Sequence, residues 1–293
     1  MTGVVTRRSK KIRVAFQGER GAFSEEAAYR ILGKRIDPLP CREFNDMFDI
    51  VVRGEADCAM VPIENTLAGS VIKNYDLLVD YDLTIVGEVV LRVEHQLIAP
   101  RGLKLAQIKR VLSHPVALAQ CEDFLRKLRQ DVPNLEVVPA YDTAGAAKTV
   151  MHDRRGDEAA IASRSAAAIY KGQVLAENIE SSPHNFTRFF VMARPDRGKS
   201  IPVRHTGTRK TSIVFRIASH PGSLYEALAA FAEQKVDMTK IESRPIVGRP
   251  WEYSFYIDFI GDRADPRVRR ALAALAGCVE SLRLFGSYPK AEA

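Results

Sequence analysis

The chain has 293 residues, 46% apolar and 27% charged, a balance that fits a soluble globular protein of two domains and excludes low-complexity, collagen-like and coiled-coil classes. Lysine and arginine outnumber aspartate and glutamate by 43 to 36, a formal charge of +7 that points toward a polyanion. The excess is local: residues 1–13 hold Arg7, Arg8, Lys10, Lys11 and Arg13 without an acid, and 194–210 set Arg194, Arg197, Lys199, Arg204, Arg209 and Lys210 against Asp196 alone, so the remainder is net acidic and no nucleic-acid partner is expected.

In chain order, 12–17 predicts a strand and 24–32 a helix, with Ser24 as its N-cap and Glu25 and Glu26 in the first turn. Helices follow at 44–52 and 70–79 around a buried strand at 58–63, and 83–99 is a long β-rich stretch. The alternation resumes with strand 110–113, helix 116–128, strand 135–140, helix 143–152, strand 159–162 and helix 165–170, then a closing strand at 188–193. Strands alternating with helices predict a mostly parallel sheet covered on both faces. The stretch at 83–99 predicts a crossover between two lobes, with a return near 175–190 and a ligand cleft between the lobes. Residues 194–210, rich in bases, Pro and Gly, predict a linker. The rhythm then changes to strand 211–219, helix 222–234, strands 238–245 and 251–260, helix 266–275 and strand 281–287. This order, βαββαβ, is the ferredoxin-like split unit.

The basic N-terminus has no apolar core of a secretory signal, and no apolar run approaches the ~18–20 residues that span a bilayer. A cytoplasmic protein without a membrane partner is expected. Cys41, Cys58, Cys121 and Cys278 form no CxxC pair and read as small buried hydrophobes. His95, His114, His152, His184, His205 and His220 show no HxH or HExxH spacing, so no metal site is expected.

The segments that carry chemistry lie at strand ends. Gly18-Glu-Arg-Gly21-Ala-Phe-Ser24 joins the first strand to the first helix, as an anion-binding turn or as a plain tight one. It matches neither GxGxxG nor GK[ST], so no nucleotide is implied. Val61-Pro-Ile-Glu64-Asn65-Thr66 follows a buried strand, where open α/β sheets bind ligands. Glu64 can serve there as general acid or hydrogen-bond acceptor and Asn65 as an amide donor, or the segment is a capping turn. Ser113-His114-Pro115 ends a strand, and a helix starting there would bring Gln120 to the face of Ser113 two turns on. His114 before a proline reads as structural. Thr143 and Ser163 occupy equivalent strand-to-helix turns, and Asn185-Phe186-Thr187-Arg188-Phe189 opens the last strand, with Arg188 able to clamp a carboxylate.

In this order and ahead of a βαββαβ unit, GxxGxFS, PxEN, SHP with Gln120 seven residues after Ser113, and NxTRF closely resemble the prephenate dehydratase family with its C-terminal ACT regulatory domain. The resemblance runs from about residue 12 to 289. It implies an α/β fold: a two-lobed, periplasmic-binding-protein-like catalytic domain over 12–193 and an α+β ferredoxin-like (βαββαβ) ACT domain over 211–288. With eleven residues ahead of the first strand, the form without a fused chorismate mutase domain is expected.

The activity implied is conversion of prephenate to phenylpyruvate with loss of CO2 and water, and no cofactor. Carboxyl chemistry alone selects Glu64 as general acid, because a buried carboxyl is tunable upward. The resemblance points instead to Thr187, with Glu64, Asn65, Ser113 and Gln120 matching positions that hold substrate or support the acid. Arg188 and the Gly18–Ser24 turn, with Gly21 and Ser24, are expected to receive the substrate's two carboxylates, and Thr143, Ser163 and Phe189 to complete the substrate site. The ACT resemblance implies feedback by L-phenylalanine at Gly222, Ser223 and Leu224 and at Glu242-Ser243-Arg244-Pro245, with Tyr225 standing where the family's loop has Val. Effector sites between paired ACT domains imply a homodimer or tetramer. Arogenate dehydratase and a non-catalytic amino-acid sensor are the alternatives.

Overall fold

Apolar runs too short for helices fold here as strands, and the amphipathic segments between them as helices. The computed structural model describes residues 11–153, 156–203, 207–218, 220–246 and 248–292; Arg7, Arg8, Lys10 and Arg204, counted above, lie outside the described residues. The elements are β1 (Ile12–Gln17), α1 (Phe23–Leu32), β2 (Ile36–Cys41), α2 (Phe44–Val52), β3 (Cys58–Asn65), β4 (Gly69–Ser70), α3 (Ile72–Asp80), β5 (Thr84–Arg92) and β6 (Gln96–Ala99). Then come β7 (Arg110–Ser113), α4 (Pro115–Gln120), α5 (Glu122–Asp131), β8 (Glu136–Pro139), α6 (Thr143–Asp153), β9 (Glu158–Ala162), α7 (Arg164–Tyr170), β10 (Gln173–Ala176) and β11 (Phe186–Ala193). The C-terminal part holds β12 (Arg209–Arg216), α8 (Ser223–Ala232), β13 (Met238–Ile246), β14 (Arg249–Ile260), α9 (Pro266–Cys278) and β15 (Ser281–Pro289).

The described residues form two compact units: 11–60 with 66–68 and those within 92–185, and 61–65 and 69–91 with those described from 186 to 292. The units cut across the division at 193–194 read from the sequence, because 61–65, 69–91 and 186–193 group with the C-terminal part.

In the first unit β1 pairs in parallel with β2 and with the first residues of β3, and its Val14, Ala15 and Phe16 are fully buried. β2 escapes the sequence reading because it is an edge strand containing Pro38 and Pro40, which cannot donate to a second ladder. A second sheet has the order β10-β6-β9-β7-β8, parallel at β7 and antiparallel at β6. In the second unit β3, β11 and β5 are neighbours in that order, and the C-terminal sheet runs β13-β14-β12-β15, antiparallel throughout. Phe215, Phe231, Ile257 and Phe259 build its core with α8 and α9.

Several boundaries differ from expectation. α1 starts at Phe23 with Ala22 at the N-cap, so Ser24 lies inside the helix and caps nothing. The helix expected over 116–128 is broken at Cys121, because the Gln120 carbonyl accepts from Ser181 N (2.7 Å). The linker is shorter than 194–210. Arg209 and Lys210 open β12, with Arg209 paired to Asp262 (2.5 Å) and Lys210 buried against Glu88 (3.1 Å). Cys41, Cys58 and Cys121 are buried, and burial pushes the Cys41 thiol up to about 11, which keeps it unreactive. Among the described residues no helix is long and apolar enough to cross a membrane.

Gly21 takes φ +88°, and a Cβ there would lie 2.7 Å from Ala166 Cα. Gly33 takes φ +80° with nothing within 4 Å. Gly33→Ala should cost the left-handed backbone penalty alone, roughly 1–2 kcal/mol, whereas Gly21→Ala adds backbone overlap and should cost roughly 3 kcal/mol or more. Denaturant melts giving equal losses would contradict the close approach of the first turn to α7.

Candidate active site

β3 is apolar through Ile63 because it runs inside a sheet, and it ends on Glu64 and Asn65. β11 begins with Phe186, Thr187 and Arg188 and continues through five buried residues. Successive side chains of a strand point to opposite faces, so each strand end divides its polar pair. On one face the buried Asn65 donates through Nδ2 to the Phe186 carbonyl (3.1 Å) and to Thr187 Oγ1 (2.9 Å). Thr187 Oγ1 is thereby an acceptor toward Asn65, and its own O–H is the donor it offers elsewhere. The same hydrogen bond stabilises negative charge developing on Oγ1 when a proton leaves.

On the other face Glu64 meets Lys240 Nζ at 3.0 Å and Arg188 Nη2 at 3.5 Å. Arg188 donates to Asp258 Oδ2 at 2.6 Å, stands 3.5 Å from Glu88 and lies over the Phe190 ring at 5.0 Å. Burial opposes the charge on Arg188, but Asp258 and Glu88 outweigh it and raise its pKa. Burial likewise opposes ionised Asp258, and Arg188 and Lys210 hold that carboxyl below the usual range.

Two expectations change as a result. Glu64, the general acid by carboxyl chemistry, does not share a face with Thr187. Arg188, expected on a substrate carboxylate, is committed to an ionic cluster, its side chain only 12% exposed. The period of the strand is the reason in both cases. Phe189, also expected at the substrate, is a core residue.

The first unit holds the other candidates. Gln120 Oε1 accepts from Asn185 Nδ2 (3.0 Å) and from His95 Nε2 (2.9 Å). That partner assigns the His95 proton to Nε2, and the buried Nδ1 has no hydrogen-bond partner. Burial lowers the pKa of His95, and Phe23 meets its ring edge-on at 5.4 Å. Sequence reasoning missed His95; its only signal is the polar triplet Glu94-His95-Gln96 inside the β-rich stretch 83–99.

Ser113 turns inward, donating to the Ile161 carbonyl (2.6 Å), and His114 caps α4 by accepting from Val116 N (3.3 Å). The Gly18–Ser24 turn has its amides taken internally: Glu19 N donates to Asp142 Oδ2 (3.1 Å) and Gly21 N to Glu25 Oε2 (2.6 Å). Two of the protein's own carboxylates thus hold the amides expected to meet a substrate's. Ser163 donates to the Gly21 carbonyl (2.6 Å) and accepts from Ala166 N (2.9 Å), capping α7. Ser24 is buried within α1, and Thr143 opens α6, where Asp142 accepts from Gly145 N (2.7 Å).

β13 alternates half-buried Lys240, Glu242 and Arg244 with exposed Ile241, Ser243 and Pro245. Ser70 Oγ donates to Glu242 Oε2 (2.5 Å), and Arg244 holds Asp76 through Nε (3.2 Å) and Nη2 (3.1 Å). The Glu242–Pro245 segment is therefore divided between two faces. Gly222, at φ +92°, starts α8, where Ser223 donates to the His220 carbonyl (2.7 Å) and Leu224 packs on the C-terminal core.

Residues 14–197 match the family model described as prephenate dehydratase, and 211–277 the one described as ACT domain. The chain is 43% identical over 290 residues to arogenate dehydratase/prephenate dehydratase 2, chloroplastic, of Arabidopsis thaliana, covering 95% of this chain and 73% of that protein. A solved prephenate dehydratase in complex with L-Phe from Arthrobacter aurescens is 36% identical with a TM-score of 0.84, covering 95% of this chain and 90% of that one. GqqA, described as a novel type of quorum-quenching acylase, is 35% identical with a TM-score of 0.82, covering 94% of this chain and 97% of that one.

Because His95 is held neutral below its ordinary value of 6.5, the unfolded chain binds that proton more readily than the folded one. Stability is therefore full above about 6.5 and falls as pH drops from there through the lower folded value. In thermal melts between about pH 7.5 and 5, wild type should lose more stability than His95→Gln. Equal losses would assign the acid sensitivity to other groups.

Proposed function

Because this chain belongs to the prephenate dehydratase family, we propose that it converts prephenate to phenylpyruvate, with the Thr187 hydroxyl as proton donor and L-phenylalanine as effector through the ACT domain. The observation that carries the reading is the Asn65 amide, bonded to the Phe186 carbonyl and to Thr187 Oγ1 at once. Breaking the bond to the departing CO2 leaves its electron pair on the ring, the ring hydroxyl takes a proton and leaves as water, and the ring becomes aromatic. Aromatisation supplies the driving force, so the barrier lies in C–O cleavage and the task of the chain is to place an O–H at the departing oxygen. A threonine alcohol is a weak acid; the Asn65 hydrogen bond stabilises the charge left on Oγ1 until water returns the proton.

Two neighbouring readings separate on chemistry. For acyl transfer Thr187 would have to act as a nucleophile, which needs an adjacent base. Asn65 donates to Thr187 and cannot take its proton, which supports proton donation. Arogenate, named with prephenate in the Arabidopsis relative, carries an amino group where prephenate has a keto group. The family model and the Arthrobacter relative support prephenate as the preferred substrate.

Steady-state assays on both substrates test the reading. Wild type should show the higher kcat/KM on prephenate; the reverse order would make arogenate the substrate. Thr187→Ala should lower kcat by roughly 10²–10⁴-fold with KM little changed, and near-wild-type turnover would remove Thr187 from the proton transfer.

A further inference from the structure

The face of the strand ends turned away from Thr187 leads into the segment assigned to the effector. Lys240 Nζ bonds Glu64 Oε1 (3.0 Å) and Ser70 Oγ (3.1 Å), stands 3.4 Å from Glu242 Oε2 and lies over the Tyr75 ring at 5.7 Å. Its side chain is 12% exposed, so these contacts are weakly screened. Glu64 and Ser70 face each other in the β3–β4 ladder, and Ser70 also donates to Glu242 (2.5 Å). One ammonium thus joins three groups: the carboxylate at the end of β3, the hydroxyl of β4, and the first residue of the Glu242–Pro245 segment.

We propose that Lys240 is a positioning residue for the Asn65–Thr187 pair, acting through Glu64, and that it couples Glu242 to that pair when an amino-acid effector binds. The coupling part rests on the reading of the ACT domain given above. β3 and β11 end in two pairs back to back, Asn65 with Thr187 at 2.9 Å on one face and Glu64 with Arg188 at 3.5 Å on the other. Because Glu64 and Asn65 are consecutive, a pull on the Glu64 carboxylate turns the strand end that carries the Asn65 amide. The 2.9 Å contact is sensitive to such a turn, since hydrogen bonds weaken steeply with misalignment.

Glu242 holds Ser70 and Lys240, and the ammonium of an amino-acid effector would be a competing partner for its carboxylate. When the effector takes Glu242, Lys240 has one carboxylate fewer and settles on Glu64. Removal of Lys240 would leave Glu64 and Glu242 as like charges beside Ser70, with Arg188 as the cation still paired to Glu64. Hydrophobic packing of the strand ends does not require the ammonium, so the fold tolerates its loss better than the geometry does.

The test uses the full chain as Lys240→Met, Lys240→Arg and Ser70→Ala, with melts, steady-state kinetics on prephenate and phenylalanine binding by calorimetry. Lys240→Met should lower kcat by roughly 3- to 30-fold with KM little changed, and should bind phenylalanine while its turnover no longer responds to it. Lys240→Arg should restore both. Ser70→Ala, which deletes the hydroxyl shared by Lys240 and Glu242, should weaken the phenylalanine response in the same direction, and it decides the matter should Lys240→Met not fold. Wild-type kcat and response in Lys240→Met or in Ser70→Ala would overturn the proposal, as would loss of phenylalanine binding in Lys240→Met with kcat unchanged. A wild-type chain indifferent to phenylalanine would overturn the effector reading instead, with the kcat comparison still deciding the positioning role.

Discussion

Two neighbouring strands end side by side, and each carries two polar residues in succession at its end. A strand sends successive side chains to opposite faces, so Asn65 meets Thr187 on one face while Glu64 meets Arg188 on the other. The pairs cannot exchange places by local rotation. Exchange needs a one-residue slip, which would send every side chain of β11 to the opposite face and force a strand buried on both faces from Phe189 to Ala193 to repack. The register that packs β11 is therefore the register that pairs Thr187 with the Asn65 amide.

The Glu64–Arg188 side is costly by itself, since charges taken from water lose several kcal/mol each unless well paired. The C-terminal part supplies the pairing: Asp258 on Arg188, Lys210 on Glu88, and Lys240 between Glu64 and Glu242. Two of these bases lie inside the protein as counter-charges, and neither is available to a polyanion. The net charge of +7 therefore describes little of what a ligand meets at the strand ends. The same arrangement makes the C-terminal domain part of the structural support for β3 and β11, with which it shares one compact unit.

Periodicity and turn chemistry were enough to read most strands and helices, because each buries one face or one short apolar run. The edge strand β2, with its two prolines, and the break at Cys121 depended on partners elsewhere in the chain and were not legible. Thr187 and Asn65 were legible as motif positions, but 122 residues separate them, and which side of Glu64-Asn65 faces Thr187 is set by strand pairing alone. The first turn shows the limit most plainly. Backbone amides of a glycine-containing turn at a helix start suit an external anion and an internal carboxylate equally, and here Glu25 takes that of Gly21 and Asp142 that of Glu19. Lys240 and Asp258 carried no motif; an acid inside the apolar run of β14 was the one hint that a buried cation would face it.

A double-mutant cycle over Asn65→Ala and Thr187→Ala, read as kcat on prephenate, probes the opposite-face arrangement most directly. If Asn65 acts by polarising the Thr187 hydroxyl, the double variant should be about as slow as Thr187→Ala alone, a coupling of roughly 1–3 kcal/mol. Independent effects that multiply in the double variant would contradict the pairing, and would return the proton transfer to a group on the other face.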